Sequence, residues 1–368
     1  MSNIYKVGLV ADSIRDNSVG TGYYAKGFFE ALLKTDKKNK YYFIDYKETE
    51  YNKNNLILIK NPFKKLKTYM WHLFLPLRLK KHGLDFIINV SSGPYLFSFG
   101  QKITPVIYDL TLDLFPQTHP FNRVLFNKLF LRNTLNKSYK IIVPSESTKR
   151  DLIKYYSIPE NKIVVIFIPI KYAPVKLSKV GKKVKFSFPY ILNINTIEPR
   201  KNISVLIKAF SGLKKENHIP HKLVICGELG WKYESILDLV KNLKLDKEII
   251  FMGYVSEEEK KYLYTKADVF VYPSLYEGFG IPVLEAQIYG CPVVASNVSS
   301  IPEVLGDGGI KINPYKVDEI KKGILKVISN NELREKLIKM GIKQSRKYTD
   351  GSFIKTKIEK LTDFMYAN

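Results

Sequence analysis

The chain has 368 residues, and its 59 Lys+Arg exceed its 35 Asp+Glu by 24, which gives a formal net charge of +24. At roughly 150 residues per domain, this length predicts two domains. With 45% apolar and 26% charged residues, the composition excludes a largely disordered chain. Cys226 and Cys291 lie inside apolar runs, which predicts two buried thiols and excludes a disulfide framework or a cysteine-built zinc site.

The sequence also predicts where the protein works. The start MSNIYKVGLVADS has no secretory signal pattern, and the longest apolar run, Ile163–Ile170, is far shorter than the ~18 residues of a membrane-spanning helix. A reducing cytoplasm, with no transmembrane anchor, is therefore expected.

The positive charge is concentrated in the first half, where residues 1–185 carry +19 and residues 186–368 carry +5. Its densest stretch, Asn61–Asp85, has six Lys and Arg around Tyr69–Leu75, a pattern that favours the interface of an anionic membrane. A core helix with lysine flanks fits the same pattern, and Lys-rich usage in an AT-rich genome accounts for part of the charge.

In chain order, the first half opens with a short apolar run at Tyr5–Ala11, a glycine loop at Asp12–Gly22 and a helical pattern from Tyr23. Strand, glycine loop and helix are the opening of a βαβ fold. Further strands are predicted at Tyr41–Ile44, Leu56–Ile59, Phe86–Val90, Val106–Tyr108 and Ile141–Pro144, with helices at Arg123–Leu135 and Ser147–Tyr155.

A lysine-rich stretch without periodicity follows, and it predicts a linker at residues 173–185. Strands then alternate with helices again, which predicts a second parallel sheet covered on both faces. The predicted strands are Tyr190–Ile194, Lys222–Cys226, Ile249–Met252, Val269–Tyr272, Pro292–Ala295 and Gly309–Ile312. The chain is thus expected to be an α/β protein with Rossmann-like domains at 1–172 and 186–346, facing a central cleft, and a C-terminal helix within 347–368.

The most informative motif is the loop Glu277-Gly278-Phe279-Gly280, which opens a helix near Pro282. A glycine loop at a helix N-terminus presents backbone N–H groups to an anion or to hydroxyls. Glu285 follows eight residues after Glu277, so two carboxylates are available to accept from sugar hydroxyls. Two solvated glutamates would be the usual interpretation of E-x7-E alone.

Arg200 and Lys201 follow the first strand of the second half. Two adjacent cations at the carboxyl end of a strand are well placed for a diphosphate, although an isolated RK pair in so basic a chain is usually solvated.

The segments EPRKN, GYVSEEEKKYLYTKADVFVYPSLYEGFGIPVLEA and GCPVVASNVSSIPEVLGDGG resemble glycosyltransferase family 4, the retaining GT-B type. VGTGYYAKGFFEALLK and YDLTLDLFPQTHP extend the resemblance to the first half. Within the family, the chain is most similar to bacterial mannosyl- and rhamnosyltransferases that build O-antigen and capsule chains. The resemblance implies transfer of a hexose or deoxyhexose from a GDP-, dTDP- or UDP-linked donor to a glycan acceptor, expected to be lipid-linked.

The resemblance also implies roles for individual residues. Glu277 faces the donor sugar, Glu285 holds the ribose, and Arg200 and Lys201 bind the diphosphate and stabilise the leaving group. The remaining donor-binding residues are Gly20, Gly22, Gly227, Tyr254, Val255, Gly278, Phe279 and Gly280. The C-terminal helix is expected to cross back onto the first domain.

One departure from the family pattern concerns Tyr108 and Asp109, where family members usually have His-Asp. Asp109 is expected to be catalytic, and Tyr108 to contact the sugar or the acceptor by donating a hydrogen bond. No Asp-x-Asp motif occurs, so no metal or other cofactor is expected, and the two cations supply the charge instead.

A second carboxylate suited to a covalent intermediate is not obvious in the first half, which favours front-face attack. Three alternatives remain: a catalytically impaired GT-B scaffold, a GT-B sugar-nucleotide epimerase or phosphorylase, and a nucleic-acid-binding protein. The last lacks any recognition motif, so an anionic membrane surface is the expected partner of the basic half, and the protein is expected to associate peripherally with the inner face of the cell membrane.

Overall fold

The computed structural model describes residues 4–14, 21–48, 55–61, 68–91, 93–167, 175–176, 178 and 180–366. It divides into two compact units, each with its own parallel sheet. The first unit comprises Met1–Pro116, Pro120–Ile170 and Tyr348–Asn368, and the second comprises Gln117–His119 and Lys171–Lys347.

The first unit alternates strands and helices as the apolar runs predict. Its elements are β1 (Lys6–Val10), α1 (Thr21–Thr35), β2 (Lys40–Asp45), β3 (Leu56–Leu58), α2 (Thr68–Leu79), β4 (Phe86–Asn89), β5 (Lys102–Pro105), α3 (Thr111–Leu114), α4 (Phe121–Lys137), β6 (Ile141–Val143), α5 (Glu146–Tyr156) and β7 (Ile163–Val165). Five strands form one parallel sheet in the order β3-β2-β1-β4-β5, and β6 pairs with β7. The sheet order reverses direction between β1 and β4, which is where ligands of such sheets bind.

The strand predicted at Val106–Tyr108 is wrong by about four residues, since β5 occupies Lys102–Pro105. The cause is a change of partner at the end of β5. Val106 donates its N–H to Asn89 at the end of β4 (2.8 Å), but Ile107 donates to Ile142 of β6 (2.8 Å). Val106–Tyr108 therefore leaves the sheet at its carboxyl edge.

The second unit is a doubly wound sheet whose strand boundaries agree with the predicted ones to within a residue. Its elements are β8 (Tyr190–Ile194), α6 (Ile203–Glu216), β9 (Lys222–Cys226), α7 (Glu234–Asn242), β10 (Ile249–Gly253), α8 (Glu257–Lys266), β11 (Val269–Tyr272), α9 (Ile281–Ile288), β12 (Val293–Ser296), α10 (Ile301–Leu305), β13 (Ile310–Ile312), α11 (Val317–Ile328) and α12 (Asn331–Thr349). The strand order is β10-β9-β8-β11-β12-β13. Its direction reverses between β8 and β11, so the loops after these two strands are the favoured ligand position.

The last helix, α13 (Gly351–Tyr366), packs on the first unit. The ring of Tyr366 lies 5.0 Å from that of Tyr5 and 4.9 Å from that of Phe86. Leu361 and Met365 are buried on the same helix. The predicted return of the C-terminal helix to the first domain is confirmed.

The predicted linker at 173–185 is described only in part, because residues 173, 174, 177 and 179 lie outside the described residues. Lys182–Val184 forms one 3-10 turn, and the side chain of Val184 is buried. The two cysteines are free and buried, as predicted.

The basic stretch Asn61–Asp85 buries most of its described apolar centre, although Phe74 is 40% exposed. Trp71, Leu73 and Leu75 are buried, and the indole N–H of Trp71 donates to the carbonyl of Ile59 (2.8 Å). Trp71 and Leu75 belong to the core cluster that contains Val10 of β1 and Ile87 of β4. The membrane interpretation of this segment is therefore wrong for its buried side chains. Lys64, Lys65 and Lys67 lie outside the described residues. Within the described part of the chain, every helix is too short or too polar to span a bilayer.

Candidate functional site

The loop after β8 brings two cations to the carboxyl edge of the second sheet. Pro199–Lys201 forms a 3-10 turn, and Asn202 then adopts a left-handed conformation (φ 59°) at the start of α6. The Asn202 amide donates to the carbonyls of Pro273 (3.1 Å) and Pro314 (2.6 Å). The turn is thereby tied to the loops after β11 and β13, which fixes where Arg200 and Lys201 lie.

Glu277 lies in the loop between β11 and α9 and forms the centre of a dense polar network. Its Oε1 accepts from Lys201 Nζ (2.6 Å), the Tyr272 hydroxyl (2.8 Å) and the Ser274 hydroxyl (2.6 Å). Its Oε2 lies 3.2 Å from Arg200 Nη1. The structure therefore brings together the three residues that the sequence predicts for the donor sugar and the diphosphate.

The network is fixed from outside as well. Arg200 donates to the Tyr276 carbonyl (2.7 Å) and to Glu198 Oε1 (2.8 Å). The backbone N–H of Glu277 donates to the Ser299 hydroxyl (2.9 Å), and its carbonyl accepts from Ser300 (2.9 Å). These hydrogen bonds hold both the Arg200 side chain and the backbone of Glu277 in place. The positions of the cation and of the carboxylate are therefore fixed before a ligand binds.

Two opposing effects set the protonation of Glu277. Burial of the carboxyl raises its pKa, but the charges of Lys201 and Arg200 and the hydrogen bonds from Lys201 and Ser274 outweigh burial and lower the pKa to about 2. Glu277 is therefore ionised at neutral pH, and it can only accept hydrogen bonds.

Glu285 lies in α9 and belongs to a second network. Its Oε1 accepts from Lys260 Nζ (2.7 Å) and its Oε2 from the Tyr264 hydroxyl (3.3 Å). Burial raises the pKa of Glu285, and the neighbouring Lys260 opposes that effect without cancelling it. The two glutamates of E-x7-E thus contact different elements: Glu277 the loops after β8 and β11, and Glu285 the helix α8.

Two glycines at the carboxyl edge of the second sheet have positive φ values that other residues rarely adopt. Gly227, directly after β9, has φ 138°, and a Cβ there would overlap the carbonyl oxygen of Asn195. Gly280 has φ 102° at the N-terminus of α9, where Pro282 occupies the first turn without needing an N–H. Both positions require glycine, as expected for a loop that a ligand approaches.

The other predicted donor residues are divided between core and surface. Phe279 and Val255 are buried, whereas Tyr254 is 61% exposed. Gly278 lies next to Glu277 in the same loop. Tyr254 is therefore available for stacking on a flat ligand, while Phe279 and Val255 support the loops.

In the first unit, Tyr108 and Asp109 follow β5 at the carboxyl edge. The Tyr108 hydroxyl donates to the carbonyl of Val90 (2.7 Å) and lies 3.3 Å from that of Thr21. Asp109 Oδ1 accepts from the N–H of Thr111 at the start of α3. The hydroxyl proton of Tyr108 is thus used in the hydrogen bond to Val90, directly after β4. A hydrogen bond from Tyr108 to a sugar stays a prediction.

Of the two predicted glycines in this unit, Gly22 is buried in the first turn of α1. Gly20 lies outside the described residues.

Several residues of the site escape sequence reasoning. Tyr272 and Ser274 bind Glu277, and Lys260 and Tyr264 bind Glu285. The sequence offered one indication for Tyr272: it ends a predicted strand five residues before Glu277. In the first unit, Asp12 joins His72 Nε2 (3.1 Å) to the Ser91 hydroxyl (2.5 Å), an arrangement without any linear motif.

Comparison with known proteins gives one family for both units. Residues 179–344 match Glycosyl transferases group 1, and residues 45–171 match Glycosyltransferase Family 4. The O-antigen chain mannosyltransferase B of Escherichia coli is 33% identical over 273 residues, 72% of each chain.

A Campylobacter jejuni protein named N-acetylgalactosamine-N,N'-diacetylbacillosaminyl-diphospho-undecaprenol 4-alpha-N-acetylgalactosaminyltransferase is 26% identical over 64% of each chain. The crystal structure of a glycosyltransferase from Rickettsia africae superposes over 100% of each chain with a TM-score of 0.71 and 19% identity. With the two doubly wound parallel sheets, these matches show that the chain belongs to glycosyltransferase family 4 and is a glycosyltransferase of the GT-B fold.

Proposed function

We propose that the chain transfers a hexose or deoxyhexose, of the mannose, rhamnose or glucose type, from a nucleotide diphosphate sugar to a glycan hydroxyl in O-antigen or related surface-polysaccharide synthesis. The observation that carries the proposal is the buried, ionised Glu277 held by Lys201 and Arg200 where the second sheet reverses direction. A carboxylate accepts from sugar hydroxyls, and the adjacent cations suit a diphosphate. The name of the Escherichia coli relative supports the O-antigen assignment.

The chemistry follows from these charges. As the glycosidic bond breaks, negative charge grows on the departing diphosphate, and Arg200 and Lys201 stabilise it by fixed charge, without a divalent metal. The acceptor oxygen forms the new glycosidic bond and its proton passes to a phosphate oxygen of the leaving group. Attack from the face that the phosphate leaves retains the anomeric configuration. Glu277 binds a donor hydroxyl, and Glu285 binds the ribose.

The acceptor is proposed to be lipid-linked and to be bound by the first unit, near Tyr108 and Asp109. Support comes from the name of the Campylobacter relative, which specifies a diphospho-undecaprenol-linked sugar. The basic charge of residues 1–185 suits a lipid diphosphate.

The test is release of nucleoside diphosphate from GDP-mannose, dTDP-rhamnose and UDP-hexoses, with and without a polyprenyl-diphosphate-linked glycan. We expect one donor to release its nucleotide only when the acceptor is present. Acceptor-independent conversion of the sugar nucleotide would favour an epimerase. A protein that binds donors but never transfers would favour the impaired scaffold.

We also propose that the first unit associates peripherally with the inner face of the cell membrane through α4. Phe121, Leu125 and Leu129 recur every four residues on this helix and are 79%, 44% and 62% exposed. Exposed cations lie beside this stripe at Lys128 and Arg132, three residues after Leu125 and Leu129. An apolar stripe with basic flanks suits the interface of an anionic bilayer.

A neighbouring loop extends this surface. Phe97 and Phe99 are 55% and 42% exposed, and Lys137 Nζ lies 5.1 Å from the centre of the Phe97 ring. The Asn133 amide donates to the carbonyls of Tyr95 and Leu96, which holds this loop against α4. Both segments therefore present aromatic and aliphatic side chains beside cations.

Replacing Phe121, Leu125 and Leu129 with serine is expected to weaken binding to phosphatidylglycerol-containing vesicles at least ~10-fold, because each apolar side chain contributes on the order of 1 kcal/mol or more on burial. Vesicle co-sedimentation measures the effect, and phosphatidylcholine vesicles should bind neither form. The matched control is Tyr315→Ser with Ile342→Ser, two exposed residues of the second unit. Equal binding by the triple variant and the wild type would refute the α4 surface.

A further inference from the structure

Two side chains of α8 donate hydrogen bonds to the Glu285 carboxylate. Lys260 and Tyr264 are one turn apart, so they lie on the same face of the helix. Lys260 Nζ lies 2.7 Å from Glu285 Oε1, and the Tyr264 hydroxyl donates to Oε2 (3.3 Å). Each carboxylate oxygen therefore has its own donor from α8.

The Lys260–Glu285 pair is well shielded from water, with 18% and 12% of the two side chains exposed. Tyr264 is fully buried. Lys260 also lies 3.0 Å from the exposed Glu257. A shielded carboxylate that loses its paired cation is disfavoured in the charged form and takes up a proton more readily.

The number of hydrogen-bonding sites left on Glu285 matters for binding. An ionised carboxylate has about four acceptor sites. Within the described part of the chain, Lys260 and Tyr264 occupy one on each oxygen. One site on each oxygen is then left for a ligand, which matches the two neighbouring hydroxyls of a ribose.

We propose that Lys260 is a positioning residue of the donor site: it keeps the Glu285 carboxylate charged and oriented so that both oxygens accept from the ribose hydroxyls. This inference rests on the proposed function, in which Glu285 binds the ribose of the donor, and it favours a GDP- or UDP-linked donor over a dTDP-linked one, whose 2′-deoxyribose lacks one of the two hydroxyls. Without Lys260, a protonated Glu285 becomes a donor at one oxygen and no longer accepts from both hydroxyls. Lys260 therefore determines how strongly the site selects a ribonucleotide over its 2′-deoxy counterpart.

Lys261 supplies a matched control on the same helix. Its Nζ lies 2.8 Å from Glu258 Oε1, and 13% and 16% of these side chains are exposed. Lys261→Met removes the same charge from a pair of similar burial that does not include Glu285. Lys260→Arg keeps the charge and tests rescue.

The experiment measures the dissociation constants of UDP, GDP and their 2′-deoxy forms by calorimetry. For the ribonucleotide that the wild type binds, we expect at least ~10-fold preference over the deoxy form, as for hydrogen bonds to a charged group. Lys260→Met should reduce that preference to within about threefold and raise the donor KM with little change in kcat. Lys261→Met should preserve the preference, and Lys260→Arg should restore most of it.

Three results would overturn the inference: a wild type that does not discriminate, a Lys260→Met variant that keeps its preference, or equal weakening of both nucleotide forms in that variant. Equal weakening would indicate a structural role for Lys260 alone. Failure of the proposed function is distinguishable, because the wild type would then transfer no sugar in the assay with acceptor, whatever its nucleotide preference in calorimetry. Circular dichroism of each variant establishes that its fold is intact.

Discussion

Glu277→Gln is expected to reduce sugar transfer at least ~100-fold, comparable to removing a preorganised electrostatic contact from an active site. The substitution keeps the shape of the side chain but removes the negative charge that Lys201 and Arg200 share. Its amide would also direct N–H groups toward one of these cations or toward a donor hydroxyl. Steady-state transfer assays with the donor identified by nucleotide release measure the loss.

The interpretation needs a control for folding, because removal of one member of a buried ion-pair network costs about 3–5 kcal/mol. Glu248→Gln makes the same chemical change in the Glu248–Lys214 pair (2.8 Å) of the second unit, where 33% of the Glu248 side chain is exposed. This variant should retain full transfer. A folded Glu277→Gln protein with wild-type turnover would exclude Glu277 from the site.

The parts of this fold that could be predicted are those encoded by local patterns. Buried parallel strands are continuous apolar runs, so Tyr190–Ile194 and Val269–Tyr272 are recognisable without any partner. Strand order then places the loops that follow them side by side, and this is why Arg200, Lys201 and Glu277 could be grouped before their contacts were known.

The parts that could not be predicted depend on tertiary partners. The strand boundary at Pro105 depends on β6 taking over the pairing of Ile107, and β6 is more than thirty residues away. Trp71 and Phe121 illustrate the same limit for surfaces. Both are aromatic and stand near cations in the sequence, yet Trp71 is 1% exposed and Phe121 is 79% exposed.

Glu285 shows that some contacts within the candidate site cannot be predicted from the sequence. The spacing of Glu277 and Glu285 predicts two carboxylates near each other, but nothing in that spacing indicates that α8 supplies Lys260 to one of them. A lysine on a charged helix resembles its neighbours, and Lys261 has the same local sequence environment. Only the packing of α8 against α9 distinguishes the two.

The depressed pKa of Glu277 predicts that this carboxylate stabilises the second unit at neutral pH and ceases to do so in acid. Its pKa falls from 4.5 in the unfolded chain to about 2 in the folded protein, mainly because the cations overcome burial. A group whose pKa is lower in the folded state contributes its stability above the unfolded pKa and loses it as pH falls through the folded pKa. The shift corresponds to on the order of 3 kcal/mol.

Between pH 5 and pH 2, the wild type is therefore expected to lose about 3 kcal/mol more of its free energy of unfolding than Glu277→Gln, which has no carboxyl to titrate there. Urea unfolding at each pH measures this difference. Trp71 and Trp231 are the two tryptophans, one in each unit, so a Trp71→Phe background makes Trp231 fluorescence specific to the second unit. The carboxyl groups far from Glu277 are common to both proteins, so their contributions cancel in the comparison. A stability difference that stays constant over this range would mean that Glu277 is not held ionised by Arg200 and Lys201.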